Sequence, residues 1–227
     1  MRTPIDGGAG CRPGTRELEP RLRLMVLTTP SPGCGRPLPE VVEACLEAGA
    51  TAVQLRHEGV EGGELYREAI RLRPVVRAHR ALFLVNDRVD VALAAGADGV
   101  HLGPDDPPVS AIRQASPPGF VIGYSTDDPA EAREAAAWGA DYLGVGAVYG
   151  TRSKAGLEDE AIGPERVREV LEAAGLPGVG IGGVTPENAA GVYRNGAGVA
   201  VLGAVMEAPD PAAAVRELLA AHPGQEP

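Results

Sequence analysis

Lysine is almost missing from this chain. It occurs once, at Lys154, among 21 basic residues, while acidic residues number 31 and the net charge is −10. So acidic a chain lacks the basic face that nucleic-acid binding requires, so no nucleic-acid partner is expected. An anionic small substrate stays open, provided positive groups converge locally. Cysteine is scarce too: Cys11, Cys34 and Cys45 form no CxxC pair. That argues against a disulfide framework and for free thiols in a reducing compartment. The four histidines are scattered at no ligand spacing, which argues against a zinc site. Aromatics make up 4% of residues, and no apolar run is long enough to cross a membrane. Residues 1–23 carry several charges and no apolar core, so no signal peptide and no membrane partner are expected. The expectation is a soluble, cytoplasmic protein.

Small aliphatic residues and glycine dominate what remains. Residues 1–22 are rich in Arg, Gly, Pro and Glu without periodicity, and read as a disordered or extended N-terminal tail. Residues 23–222 read as one domain and 223–227 as a C-terminal tail. Within the domain a pattern repeats: Gly-Ala and then an apolar run, at Gly49-Ala50, Gly96-Ala97, Gly139-Ala140 and Gly196-Ala197. Each copy follows a stretch with helical spacing. The Gly suits the left-handed position that ends a helix, and the run after it suits a strand buried on both faces. Further apolar runs lie between the copies. Together they predict strands near 24–28, 51–55, 82–86, 99–103, 120–124, 141–146, 178–182 and 198–202. Helices are predicted over 38–48, 61–79, 88–95, 107–115, 128–138, 164–174, 186–195 and 210–221. Eight alternating strand–helix units in a chain of 227 residues predict an α/β fold, a single (β/α)8 TIM barrel. An open doubly wound sheet is the rival. It usually carries a GxGxxG turn after its first strand, where this chain reads Thr28-Thr29-Pro30-Ser31-Pro32-Gly33-Cys34-Gly35.

Barrel chemistry sits at the C-terminal ends of the strands. Polar residues gather there: Gln54 and Arg56, Asn86 and Asp87, His101 and Asp106, Ser125, then Thr151, Ser153 and Lys154. Gly182-Gly183 and Gly203 follow the seventh and eighth strands, where this fold commonly binds phosphate through backbone N–H groups. Tight turns alone would also explain those glycines. Asp87 and Asp106 end adjacent strands, and two such carboxylates beside a phosphate suit Mg²⁺. Either aspartate alone is more often a helix cap than a ligand. Beside Asn86 and Lys154 the pair reads as a metal site. Arg56 and Lys154 are the basic groups expected inside the mouth. His101 reads as a structural strand-end histidine, and Trp138 and Tyr142 as core or helix–strand packing.

In order and spacing these residues resemble the thiamine phosphate synthase family, within the superfamily that also holds the thiazole tautomerases. The pieces are Val53-Gln54-Leu55-Arg56, Val85-Asn86-Asp87, Gly99-Val100-His101-Leu102-Gly103-x-x-Asp106, Ile122-Gly123-Tyr124-Ser125, Asp141 to Gly146, Thr151-Arg152-Ser153-Lys154 and Ile181-Gly182-Gly183-Val184. The likeness runs from about residue 24 to residue 220. It implies a transferase that couples hydroxymethylpyrimidine diphosphate to thiazole phosphate and releases pyrophosphate. It implies dissociative chemistry through a pyrimidine methylene cation, with Mg²⁺ as cofactor. By the resemblance, Gln54, Arg56, Asn86, Ser125 and Lys154 contact the pyrimidine diphosphate, with Arg56, Ser125 and Lys154 catalytic. Asp87 and Asp106 hold Mg²⁺. Thr151 and Ser153 touch the thiazole phosphate, whose oxygens also meet the backbone near Gly183, Leu202 and Gly203. The expected partners are these small molecules, and a homo-oligomer is compatible with the sequence. The chain departs from the family pattern in places. Glu58 stands where Lys is usual, Pro104 where Gln is, and Asp127 where the tautomerase-linked His is often found. A thiazole tautomerase-like isomerase and a non-catalytic phosphate-ligand sensor on the same barrel are the rival readings. Glu58 is expected to turn outward or to pair with His57 or Arg88.

Overall fold

The computed structural model describes residues 15–150 and 161–224. Eight strands alternate with helices: β1 (Leu24–Leu27), α2 (Leu38–Glu47), β2 (Ala52–Leu55), α3 (Gly62–Ala78), β3 (Leu82–Asn86), α4 (Val89–Ala95), β4 (Gly99–Leu102), α5 (Val109–Ala115), β5 (Val121–Ser125), α6 (Pro129–Trp138), β6 (Tyr142–Val145), α7 (Pro164–Ala174), β7 (Gly178–Ile181), α8 (Ala189–Arg194), β8 (Gly198–Val201), α9 (Gly203–Met206) and α10 (Pro211–Ala220), with α1 (Thr15–Leu18) before them. The strands are parallel and close in sequence order, β8 pairing with β1, so the (β/α)8 barrel expected from the sequence is the fold.

Local chemistry accounts for the alternation. The four Gly-Ala copies all place their glycine at positive φ, from 64° at Gly96 to 108° at Gly49. There the missing Cβ lets the chain leave a helix and enter a strand. Helix starts are marked by Pro129, Pro164 and Pro211 in the first turn, and Asp128 and Asp210 accept backbone N–H bonds as caps. A helical end does not bury everything: Trp138, expected in packing, closes α6 at the surface and is 39% exposed.

Strand side chains alternate between two cores. Val26, Val53, Leu55, Val85, Val100, Leu102, Ile122 and Leu143 face the helices. Met25, Leu27, Ala52, Leu82, Leu84, Val121, Tyr142, Val179 and Ala200 form a separate cluster inside the barrel. By the same alternation Gln54, Asn86, His101 and Ser125 point inward, higher along their strands.

The first described segment corrects one expectation. Residues 15–22 are not part of a tail. They form α1 and a 3-10 turn, Glu19–Leu22, and Leu18 and Leu22 are buried in the barrel's inner cluster. This plug closes the N-terminal end of the barrel. It lies so near β8 that a Cβ on Gly198 would come within 1.9 Å of the Leu22 carbonyl oxygen. The polar strand ends lie at the opposite end.

Two inter-strand aspartates hold the sealed end in register. Asp98, before β4, accepts the Phe83 N–H at 2.8 Å, and Asp141, before β6, accepts the Ile122 N–H at 2.8 Å. Asp141 is buried and ion-paired with Arg113, whose guanidinium also bonds the Gly139 and Phe120 carbonyls.

Candidate active site

The C-terminal strand ends bring Gln54, Arg56, Asn86, Asp87, His101, Asp106, Ser125, Gly183, Leu202 and Gly203 to one end of the barrel. Thr151, Ser153 and Lys154 lie outside the described residues.

Asp87 and Asp106 are electrostatically one unit. Asp87 follows β3 in a left-handed conformation, φ 59°, which a non-glycine residue adopts at a cost of roughly 1–3 kcal/mol. Its side chain does not cap α4, whose cap position is Arg88. Nor does Asp106 cap α5, which starts after Pro108. Instead one Asp106 oxygen accepts the Gly103 N–H at 2.7 Å and fixes the loop. The walls of the mouth, then the Asp106 charge and a hydrogen bond to it, push the Asp87 pKa up to about 6, against the pull of Arg56. The Asp106 charge thus makes ionising Asp87 costlier, and a counter-charge placed there would relieve that cost. Among the described residues, no group of three or more His, Cys, Asp or Glu side chains is placed to hold a metal ion.

Glu58 finds a partner other than the two expected. Its carboxylate pairs with the Arg56 guanidinium. Arg88 is taken by Asp90, with bonds of 2.8 and 2.6 Å. His57 is held below its ordinary pKa by burial, opposed by Glu68 and Glu64. Arg56 is 18% exposed and Glu58 68%, so the acid reaches in from solvent to a guanidinium seated in the mouth.

Below the mouth lies a polar file. His101 is buried, with Nδ1 at 2.7 Å from the Tyr142 hydroxyl and Nε2 at 2.8 Å from Ser125 Oγ. Burial lowers the His101 pKa to about 4, so the ring is neutral. Gln54, buried beside it, reaches the Tyr142 hydroxyl, and its Nε2 lies 3.5 Å from Met25 Sδ. His101 is thus the strand-end histidine expected, and Tyr142 packs inside the barrel rather than against helices. Tyr142 escaped the sequence reading of the site. Its signal was present: the inward positions beside it and His101 are glycines, Gly123 and Gly144, the room two rings need.

The glycines after β7 have a packing reason of their own. Gly182 and Gly183 have φ of 95° and 64°, and a Cβ on Gly183 would come within 2.5 Å of the Gly150 carbonyl oxygen. Gly203 opens α9. Its first N–H groups have no acceptor within the helix, as at any helix start.

Residues 24–205 match the protein family described as thiamine monophosphate synthase. The chain is 48% identical over 195 residues to the thiamine-phosphate synthase of Natronomonas pharaonis, covering 85% of this chain and 91% of that protein. It is 47% identical over 220 residues to the thiamine biosynthesis bifunctional protein ThiM/ThiE of Symbiobacterium thermophilum, spanning 96% of this chain and 44% of that longer one. Among solved structures, the thiamine phosphate pyrophosphorylase from Pyrococcus furiosus superposes with a TM-score of 0.80 at 41% identity, over 90% of this chain and 96% of that one. A closed barrel with its polar residues at the strand ends and sequence identity along nearly its whole length leave one assignment: the chain belongs to the thiamine monophosphate synthase family, a family of transferases in thiamine biosynthesis.

Proposed function

We propose that this chain joins hydroxymethylpyrimidine diphosphate to thiazole phosphate, in the cytoplasm, with release of pyrophosphate. The bond from the pyrimidine methylene to the diphosphate oxygen breaks, and the thiazole nitrogen takes the carbon. The observation that carries this reading is the convergence of Arg56, the Asp87–Asp106 pair and Ser125 at adjacent strand ends. A leaving diphosphate needs countercharge and donors more than it needs a base. His101, neutral and buried beneath Ser125 with no carboxylate behind it, does not form a nucleophilic triad.

In this reading Arg56, Asn86, Ser125 and Lys154 bind the diphosphate, and Gln54 meets the pyrimidine end from the floor of the mouth. Thr151, Ser153 and the backbone at Gly183, Leu202 and Gly203 receive the thiazole phosphate. Asp87 and Asp106 fit Mg²⁺, since the Asp106 charge opposes ionisation of Asp87, a cost a cation would relieve, and phosphate oxygens would complete its shell. Mg²⁺ held there would neutralise charge developing on the leaving group. The test is purified protein with both substrates and Mg²⁺, scored for thiamine phosphate. No product beside a folded, ligand-binding protein would favour the sensor reading.

A further inference from the structure

The file Gln54–Tyr142–His101–Ser125 has a direction. We infer that Tyr142 and His101 are positioning residues that hold the Ser125 hydroxyl as a hydrogen-bond donor toward the mouth, selecting a phosphoryl oxygen as its partner. The inference rests on the reading of Ser125 as a diphosphate contact.

Direction follows from counting hydrogens. Met25 Sδ can only accept, so the Gln54 atom 3.5 Å from it is the amide nitrogen. Gln54 also reaches the Tyr142 hydroxyl, where its amide nitrogen can only donate. Tyr142 is fully buried, and among the described residues its own hydrogen has one remaining acceptor, His101 Nδ1 at 2.7 Å. Had Nδ1 carried the proton, the phenol hydrogen would be buried without a partner, a cost of roughly 1–3 kcal/mol. The neutral ring therefore carries its one N–H on Nε2, which faces Ser125 Oγ at 2.8 Å. Ser125 accepts there. Its hydrogen is left for the half-buried mouth above β5.

The backbone is shaped for this file. A Cβ on Gly123 would lie 2.2 Å from the Tyr142 ring and 2.4 Å from His101 Nδ1, and one on Gly144 would lie 2.9 Å from His101 Cε1. A serine that already accepts from below suits an acceptor-only ligand group, and a phosphoryl oxygen is one.

The test reads both tautomer and rate on the full chain. In ¹⁵N spectra of histidine-labelled protein, His101 is expected as the neutral Nε2–H tautomer. Tyr142→Phe, nearly isosteric, should lower kcat/KM for the pyrimidine diphosphate about tenfold, the worth of a hydrogen bond to a charged group. In a Ser125→Ala background the same change should cost less than about twofold, since the relay acts through Ser125. An Nδ1–H tautomer, or an equal loss in both backgrounds, overturns the inference while leaving Ser125 as a contact. A Ser125→Ala variant with unaltered kinetics overturns the contact and the inference together.

Discussion

Asp106 shows how much a single residue carries. One oxygen fixes the Gly103 loop, and the charge of the group raises the Asp87 pKa. Asp106→Asn keeps a carbonyl oxygen for the loop and removes the charge. Turnover should fall at least about a hundredfold, the scale of losing one preorganised electrostatic contact, with stability little changed. Steady-state rates beside a thermal melt separate the two. Glu58 is a milder case. Its exposed pair with Arg56 is worth at most about 1 kcal/mol. Glu58→Gln should therefore lower KM for the diphosphate substrate by no more than about fivefold, and Glu58→Lys should leave kcat within about tenfold. A thousandfold gain would mean that the native site opposes that substrate. His101 makes stability depend on pH. Its pKa is about 4 when folded against an ordinary 6.5, so the unfolded chain takes up a proton first. That contribution is complete above about pH 6.5 and is lost as pH falls toward about 4. Urea melts of wild type and His101→Gln should accordingly converge as pH is lowered through that window.

At the scale of elements, the plug before β1 is the part the sequence hid. Leu18 and Leu22 sit four residues apart in a stretch of Arg, Glu and Pro, and their neighbours advertise solvent. Only the open bottom of an eight-stranded barrel makes this pair worth burying. Leu22→Ala should cost about 2–4 kcal/mol by urea denaturation, the usual range for a buried leucine. kcat should stay within about twofold, because the change is at the opposite end from the polar mouth. A large loss of activity without loss of stability would place the plug in communication with the site. The four-residue α9 was unreadable for a different reason: it is too short to show a helical period, and its existence depends on how β8 ends. The strands were readable to within about a residue, since a parallel strand buried on both faces must be apolar along its length.

For the whole molecule, fold and chemistry are separable. The barrel is complete in its two apolar cores, and no helix among the described residues is long and apolar enough to cross a membrane. EDTA should therefore abolish turnover while shifting the melting temperature by only a few degrees, the linkage lost with a weakly held cation. Unfolding on chelation would point instead to a structural metal.

Sequence by itself determined the alternation of strands and helices, the closed barrel and the strand ends where chemistry gathers. Those are local properties: apolar runs, helix-ending glycines and polar residues at fixed offsets. Tertiary structure alone decided who partners whom. Arg56 rather than His57 or Arg88 holds Glu58, Asp87 and Asp106 act as one group, and Tyr142 reaches Ser125 through His101. The residues in each of these last two sets stand on, or follow, different strands. Their meeting depends on the register of β2 to β6, which no stretch of sequence specifies alone.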